Sequence, residues 1–313
     1  MYYYFELFKQ ANKMKKCNFI CAGLTTWDYI AQSTLEMSIG DDIPGQIDIK
    51  PGGVAVNIAL AINKYLNEKS HEKIILLSAT GNDNESDKLR YEISKMGIDC
   101  DYLISQAGKC DSYLAIESAG ALHGAIASSE QLTKAGIAIF NPLLNGQLAN
   151  LKTLYEGTLI IDGNLSSETL NYISVSQVFD SAKVVIAAAS PIKAKNLLMI
   201  MRKRQCQIYL NLNEAKAMTG KQFNDSSEAA EYLFQEGAKQ AIVTNGKFHT
   251  SSRCEKGLHK ITPLEIELKT STGAGDTFLA AHLVSTIFNA ELCPRKHLSF
   301  ADRAVRLTIG KSS

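Results

Sequence analysis

The feature that most constrains the fold is an apolar run of strand length, followed by an amphipathic stretch of helix length and repeated along most of the chain. The apolar runs occupy residues 18–24 (NFICAGL), 73–81 (KIILLSATG), 158–164 (TLIIDGN), 183–190 (KVVIAAAS), 206–212 (CQIYLNL) and 241–246 (AIVTNG). None of them alternates with polar residues, so each strand is expected to be buried on both faces. Helices between such strands predict an α/β protein with a mainly parallel sheet.

Two helices between these strands can be placed from the sequence. Val54, Ile58, Ile62 and Leu66 recur every four residues and form one apolar stripe. Residues 86–97 (SDKLRYEISKMG) have a helical pattern that ends in Gly97, a residue typical of helix termination.

Two segments break this strand and helix pattern. Residues 44–53 (PGQIDIKPGG) alternate apolar and polar side chains, and residues 111–128 (DSYLAIESAGALHGAIAS) indicate two short strands joined by a turn at 118–120. We expect both segments to form antiparallel strands that project from the core. Ligand sites of α/β proteins lie beyond the carboxyl ends of the strands, so a small β-sheet there would serve as a lid.

The charge balance excludes broad classes of function. The chain of 313 residues has 33 Lys and Arg against 32 Asp and Glu, a net charge of +1. With so small a net charge, the protein has no overall electrostatic attraction for nucleic acid or for a membrane surface. The apolar runs are also too short to span a bilayer. A small-molecule partner is therefore expected, with no nucleic acid and no membrane.

The seven cysteines and the N-terminus indicate a reducing compartment. The cysteines are odd in number and scattered, without a C-x-x-C pair or a zinc-like spacing. Residues 1–17 place aromatic residues before lysines, which is the wrong order for a secretory signal. We expect a cytoplasmic protein in which residues 1–17 are an N-terminal extension.

The strongest local motif is STGAGDT at residues 271–277, directly before the helical stretch at 278–288. Glycines before a helix let backbone N–H groups approach an anion, and the positive end of the helix adds to the attraction. Asp276 either complements this helix end or acts as a general base beside a bound phosphate. The chain has no P-loop motif, and GAGDTF lacks the third glycine of a dinucleotide fingerprint.

A second motif is PGGVAVN at residues 51–57, where a glycine pair precedes the first helix. It predicts either a tight turn with an ordinary polar helix residue, or a place where Asn57 binds ligand hydroxyls. Asp28, shortly after the first strand, is either a cap or turn residue or a further polar group at the same sheet edge.

Together these motifs resemble the ribokinase-like, or PfkB, family of carbohydrate and nucleoside kinases over residues 18–309. Three intermediate motifs agree with the resemblance: Gly81-Asn82-Asp83, Asn211-Leu212-Asn213-Glu214 and Thr244-Asn245-Gly246. The resemblance implies a ribokinase-like three-layer α/β/α sandwich with a small β-sheet lid. It divides the chain into a core of residues 18–32, 52–98 and 130–313 and a lid of residues 33–51 and 99–129.

The resemblance also implies roles for individual residues. Asp276 would be the catalytic base, with the amides of Gly273, Ala274 and Gly275 stabilising the transferring phosphoryl group. The substrate would be bound by Asp28, Gly52, Gly53 and Asn57, and ATP by Asn213, Thr244, Gly246 and Thr272. Asn211 and Glu214 would organise Mg²⁺, and the family also allows a monovalent cation such as K⁺.

Within the family, three stretches are most similar to pseudouridine kinases: residues 44–59, 162–170 and 190–195. The similarity adds Ser112 as a substrate contact and implies phosphorylation of the 5′ hydroxyl of pseudouridine. The alternatives are a kinase of another sugar or nucleoside, such as ribose, fructose or adenosine, and a ligand-binding regulator without turnover. The chain departs from family patterns at Ser86, Ser128, Ser190, His249 and Asp302. Lid strands in this family also imply a homodimer.

Overall fold

The computed structural model describes residues 19–66, 72–264 and 273–309. In chain order the strands are β1 (Phe19–Ala22), β2 (Thr26–Ser33), β3 (Gln46–Gly52), β4 (Ile74–Leu77), β5 (Ala79–Thr80), β6 (Ile104–Ser105), β7 (Ser112–Ser118), β8 (Ala121–Ala127), β9 (Thr158–Asp162), β10 (Lys183–Ala187), β11 (Gln207–Asn211), β12 (Gln240–Thr244), β13 (Thr250–Cys254) and β14 (Gly257–Ile261).

The α-helices in the same order are α1 (Val54–Tyr65), α2 (Asn84–Lys95), α3 (Glu130–Ala135), α4 (Ser167–Val175), α5 (Pro191–Ala194), α6 (Leu197–Lys203), α7 (Leu212–Thr219), α8 (Ser226–Gln235), α9 (Ala274–Phe288) and α10 (Pro294–Ile309). In the part of the chain that the structure describes, two 3₁₀ segments occupy Gly136–Leu143 and Gln177–Phe179. Within the described part of the chain, no helix is both long and apolar enough to cross a membrane.

The described strands form one large sheet in the order β14-β13-β12-β11-β10-β9-β1-β4. From β12 to β4 all pairings are parallel, and β13 and β14 add an antiparallel edge. Strands β1, β4 and β9 are buried at every residue. The prediction of a mainly parallel, doubly covered sheet is confirmed.

Apolar side chains on the two faces of this sheet belong to two separate cores. In β1, Ile20 packs in one core with α3 to α8, whereas Cys21 packs in the other with α1, α2, α9 and α10. Helices therefore cover both faces, and the molecule is the expected three-layer α/β/α sandwich. The predicted stripe of α1 faces its core, with Ile58 and Ile62 fully buried.

The lid is a separate sheet in the order β3-β2-β7-β8. β2 pairs antiparallel with β3 and parallel with β7, and β7 pairs antiparallel with β8. The predicted turn is confirmed, since β7 ends at Ser118 and β8 starts at Ala121.

The structure places the boundary between core and lid differently from the sequence prediction. Residues 26–32, assigned to the core, form β2 of the lid, where burial alternates because one face of the strand is covered. Residues 99–111, assigned to the lid, pack mainly with the core, because β6 pairs with β5 and Cys100 and Leu103 are buried beside α1 and α2.

Candidate functional site

A cavity of about 750 Å³ lies between the lid and the carboxyl ends of the parallel strands. Residues at or just beyond the carboxyl ends of β1, β9, β11 and β12 line the cavity; they are Leu24, Asn164, Asn211 and Thr244. Side chains from the lid strands β2, β7 and β8 line it as well. The first turn of α9 closes another side. This is the position that a doubly covered parallel sheet favours for a ligand.

The N-terminus of α9 forms one wall of the cavity. Gly273 caps the helix with a φ of 81°, a left-handed conformation that favours glycine, and no side chain caps it. Gly273, Ala274, Gly275 and Asp276 all line the cavity. The backbone N–H groups of this turn and the positive helix end together suit an anionic ligand.

Asp276 connects the two glycine motifs of the sequence. Its Oδ2 accepts a hydrogen bond of 3.1 Å from Nδ2 of Asn57, 219 residues away in the chain. Burial in the cavity wall, together with the negative charges of Asp162, Asp28 and Glu214, raises the pKa of Asp276 to about 7, and the hydrogen bond from Asn57 opposes this shift. A carboxylate in a cavity with a pKa near neutrality has the properties required of a general base.

Asp28 is a second acid in the cavity and is buried, with 2% of its surface exposed. Thr26 Oγ1 donates to its Oδ1 at 2.6 Å, and the backbone N–H of Gly53 donates to the carboxylate as well. Burial raises the pKa of Asp28, and these hydrogen bonds oppose the shift. The carboxylate is therefore held in place by fixed donors.

The two glycines before α1 have different tasks. A Cβ on Gly52 would lie 2.0 Å from Asp28 Cγ, so this glycine makes room for a side chain of the protein itself. Gly52 does not line the cavity, whereas Gly53 does. Gly53 has a φ of 91°, and a Cβ there would lie 2.2 Å from the backbone oxygen of Leu24.

Asn211 and Glu214 form a reciprocal cap at the start of α7. Glu214 Oε2 accepts from the Asn211 backbone N–H at 2.7 Å, and Asn211 Oδ1 accepts from the Glu214 N–H at 3.0 Å. Both residues line the cavity. Burial raises the pKa of Glu214, and the Asn211 N–H opposes that shift.

Of the four residues that the resemblance assigns to ATP binding, one lines the cavity, two do not, and one is not described by the structure. Thr244 at the end of β12 lines the cavity. Asn213 and Gly246 are exposed and are not among its lining residues. Thr272 lies outside the described residues.

Ser112 is not among the lining residues, but its neighbour Tyr113 is. In the lid register Asp28 pairs with Tyr113 and Tyr113 with Ala127, so these three residues share the face that points to the cavity. Ser112 pairs with Trp27 on the other face. The sequence motif locates the strand, but only the pairing decides which of two adjacent residues points inward.

The structure also brings Asn164, Lys193 and Tyr209 into the cavity, none of which the sequence analysis selected as site residues. Asn164 and Lys193 follow β9 and β10, and Tyr209 lies within β11. The polar residues after strands β9 and β10 were a usable signal, because carboxyl ends of neighbouring parallel strands meet at one edge. Tyr209 gave no such signal, since its apolar ring suits a buried strand equally well.

Comparisons with known proteins find similarity to kinases in both sequence and structure. The family model for pfkB family carbohydrate kinases matches residues 18–313. The pseudouridine kinase of Escherichia coli (strain K12) is 26% identical over 274 residues, covering 83% of this chain and 81% of that protein.

Solved structures with similar folds include a ribokinase from Thermotoga maritima and a carbohydrate kinase from Agrobacterium tumefaciens. The first has a TM-score of 0.73 at 18% identity, covering 96% of this chain and 94% of its own. The second has a TM-score of 0.72 at 20% identity, covering 93% and 90%. These structures share the fold of the chain.

Proposed function

We propose, since the chain belongs to the pfkB family of carbohydrate kinases, that it transfers the γ-phosphate of ATP to the 5′ hydroxyl of pseudouridine. Members of this family are phosphotransferases that act on an alcohol group, and kinase activity implies ATP as the donor. The observation that carries the proposal is the half-buried, hydrogen-bonded pair of Asn57 and Asp276 at the N-terminus of α9.

In the proposed reaction Asp276 accepts the proton of the substrate hydroxyl as the hydroxyl oxygen attacks the γ-phosphorus of ATP; the bond from that phosphorus to the bridging oxygen breaks, and ADP leaves. The amides of Gly273, Ala274 and Gly275 bind the phosphoryl oxygens, where negative charge is concentrated during transfer. Asn57 orients the Asp276 carboxylate through its 3.1 Å hydrogen bond. Positioning and charge stabilisation are the main requirements of phosphoryl transfer, and these residues supply both.

Asn211 and Glu214 suit the Mg²⁺ that accompanies ATP. Mg²⁺ prefers oxygen ligands and is commonly held by one or two carboxylates together with substrate phosphates. Glu214 presents a buried carboxylate to the cavity, and a nearby cation would offset the cost of its burial. When bound, the ion would neutralise phosphate charge. A requirement for K⁺ stays a prediction from the family resemblance.

The choice of pseudouridine rests on the similarity of three sequence stretches and on the 26% identical relative. In this proposal Asp28, Asn57 and the backbone of Gly53 bind the ribose hydroxyls, since all three line the cavity. Tyr113, on the same lid face as Asp28, packs against the nucleoside. Thr244 lines the nucleotide end.

ADP release with purified protein, ATP and Mg²⁺ tests the function. The acceptors are pseudouridine, uridine, adenosine, inosine, ribose and fructose, and the Asp276→Asn variant serves as the blank. Turnover with pseudouridine above all others is the expected result. Preference for another acceptor would retain the kinase and reject this substrate, and binding without turnover would favour a regulator.

We further propose a homodimer formed through the lids. Ile49, Leu114 and Ile126 lie in one row across the lid, on the face opposite the cavity, and are 58%, 43% and 74% exposed. Exposed apolar rows of this kind are typical of protein interfaces. A second lid, related by a two-fold axis, would cover the row.

A further inference from the structure

Lys193 is the only lysine or arginine among the described residues that line the cavity. It lies on α5, directly after β10, and is half-buried. Three acidic side chains, Asp28, Glu214 and Asp276, line the same cavity. Within the described ranges of the chain, a phosphate-bearing ligand would therefore meet three acids and one cationic side chain.

The partner of Lys193 is a buried amide with unused hydrogen-bonding capacity. Lys193 Nζ donates to Asn164 Oδ1, which uses one of the three donors of the ammonium group. Asn164 is nine-tenths buried, lines the cavity, and has no hydrogen-bond partner for Nδ2. An unpartnered amide nitrogen at this depth costs free energy unless a ligand accepts its hydrogen bond.

The topology places this pair between the two ends of the cavity. β9 and β10, which precede Asn164 and Lys193, lie between β1, which leads into the lid, and β11, which leads into the Asn211 and Glu214 cap. α5 also packs against α7, the helix that starts with the Asn211 and Glu214 cap. In the strand order the pair therefore lies between the proposed acceptor end and the proposed nucleotide end of the cavity.

We infer that Lys193 and Asn164 bind an oxygen of the phosphoryl group during transfer, the first through its ammonium and the second through its free amide N–H. The inference rests on the proposed function. The ammonium supplies a positive charge close to the acidic side chains. The low polarity of a partly buried site strengthens the attraction between this charge and a phosphate group. Burial lowers the pKa of Lys193, and the charge of Asp162 opposes that shift.

The test compares Lys193→Gln with Lys193→Arg, and with Lys195→Gln as the matched control. Lys195 is exposed, lies two residues further on, and does not line the cavity. Calorimetry measures binding of the non-hydrolysable analogue adenylyl imidodiphosphate with Mg²⁺, and of adenosine. Steady-state assays give kcat and KM for ATP and acceptor, and thermal melting verifies folding of each variant.

We expect Lys193→Gln to weaken analogue binding about ten- to a hundredfold, the loss of a charge-assisted hydrogen bond. The affinity of Lys193→Gln for adenosine should not change, and its kcat should fall. Lys193→Arg should restore part of the analogue affinity and part of the kcat. Lys195→Gln should behave as the parent. Asn164→Ala should weaken analogue binding in the same direction.

Other outcomes separate this inference from the proposed function. Unchanged analogue binding and kcat in Lys193→Gln would overturn the inference, as would an effect confined to the acceptor KM. A parent protein that binds the analogue through Lys193 but phosphorylates no acceptor would overturn the proposed function alone. A parent that does not bind the analogue would overturn both.

Discussion

At the scale of single residues, the proposed chemistry depends on where the fold places Asp276. The carboxylate is half-buried in the cavity wall, lies near other acids, and accepts a hydrogen bond from Asn57. Asp276→Asn keeps the shape and the hydrogen bond but removes the proton acceptor. We expect kcat to fall by about 10²- to 10⁴-fold with little change in substrate affinity, measured by steady-state kinetics and calorimetry. A variant as fast as the parent would refute the assigned base.

The raised pKa of Asp276 also predicts how activity depends on pH. A base is active when deprotonated, so with a pKa of about 7 the active fraction grows as pH rises through neutrality. We expect kcat/KM for the acceptor to fall about tenfold per pH unit below that pKa and to level off above it. An acidic side chain with its ordinary pKa would give a flat profile from pH 6 to 9, and that result would contradict the prediction.

At the scale of secondary-structure elements, Gly53 sets the junction between β3 and α1. The next turn of the helix carries Asn57, so the junction also positions the contact with Asp276. Any other residue would strain the left-handed backbone and collide with the Leu24 oxygen. We expect Gly53→Ala to lower the free energy of unfolding by roughly 2–4 kcal/mol in urea titrations.

Gly124→Ala is the matched control for that prediction. Gly124 lies in exposed β8 with no atom within 4 Å of an added Cβ. This variant should stay within about 0.5 kcal/mol of the parent. Equal effects of the two substitutions would show that the strain at Gly53 is unimportant.

Strand pairing in the lid predicts that substituting one of two adjacent residues changes the acceptor KM and substituting the other does not. Tyr113 points to the cavity with Asp28, whereas Ser112 pairs with Trp27 on the other face. We expect Tyr113→Ala to raise the acceptor KM by about tenfold, a loss of about 1.4 kcal/mol, and Ser112→Ala to leave it unchanged. The reverse order in steady-state assays would favour the assignment made from the sequence motif.

At the scale of the whole molecule, the proposed dimer depends on the outer lid face. Ile49→Lys places a charge at the β3 end of the apolar row formed with Leu114 and Ile126, and charge burial opposes association. We expect light scattering to give a dimer mass for the parent at micromolar concentration and a monomer mass for Ile49→Lys. Leu307→Lys, at a residue 74% exposed on α10, is the control. A monomeric parent would refute the dimer.

Much of the fold could be predicted from local patterns, because a buried parallel strand leaves a continuous apolar run that needs no knowledge of its neighbours. The division between core and lid could not. β2 follows β1 after a short connection, and only its pairing with β3 and β7 shows that it belongs to a different sheet. Short strands of mixed polarity carry little local information about their partners.

The sequence by itself determined the mainly parallel sheet with helices on both faces, the family resemblance, and the two glycine motifs with Asn57 and Asp276. Tertiary structure alone decided the 3.1 Å contact between these two side chains, the inward face of Tyr113, and the meeting of Lys193 with Asn164. The physical reason is distance along the chain. Periodicity and helix capping act within a few residues, whereas register and burial, which set side-chain direction and pKa, depend on elements that are far apart in sequence.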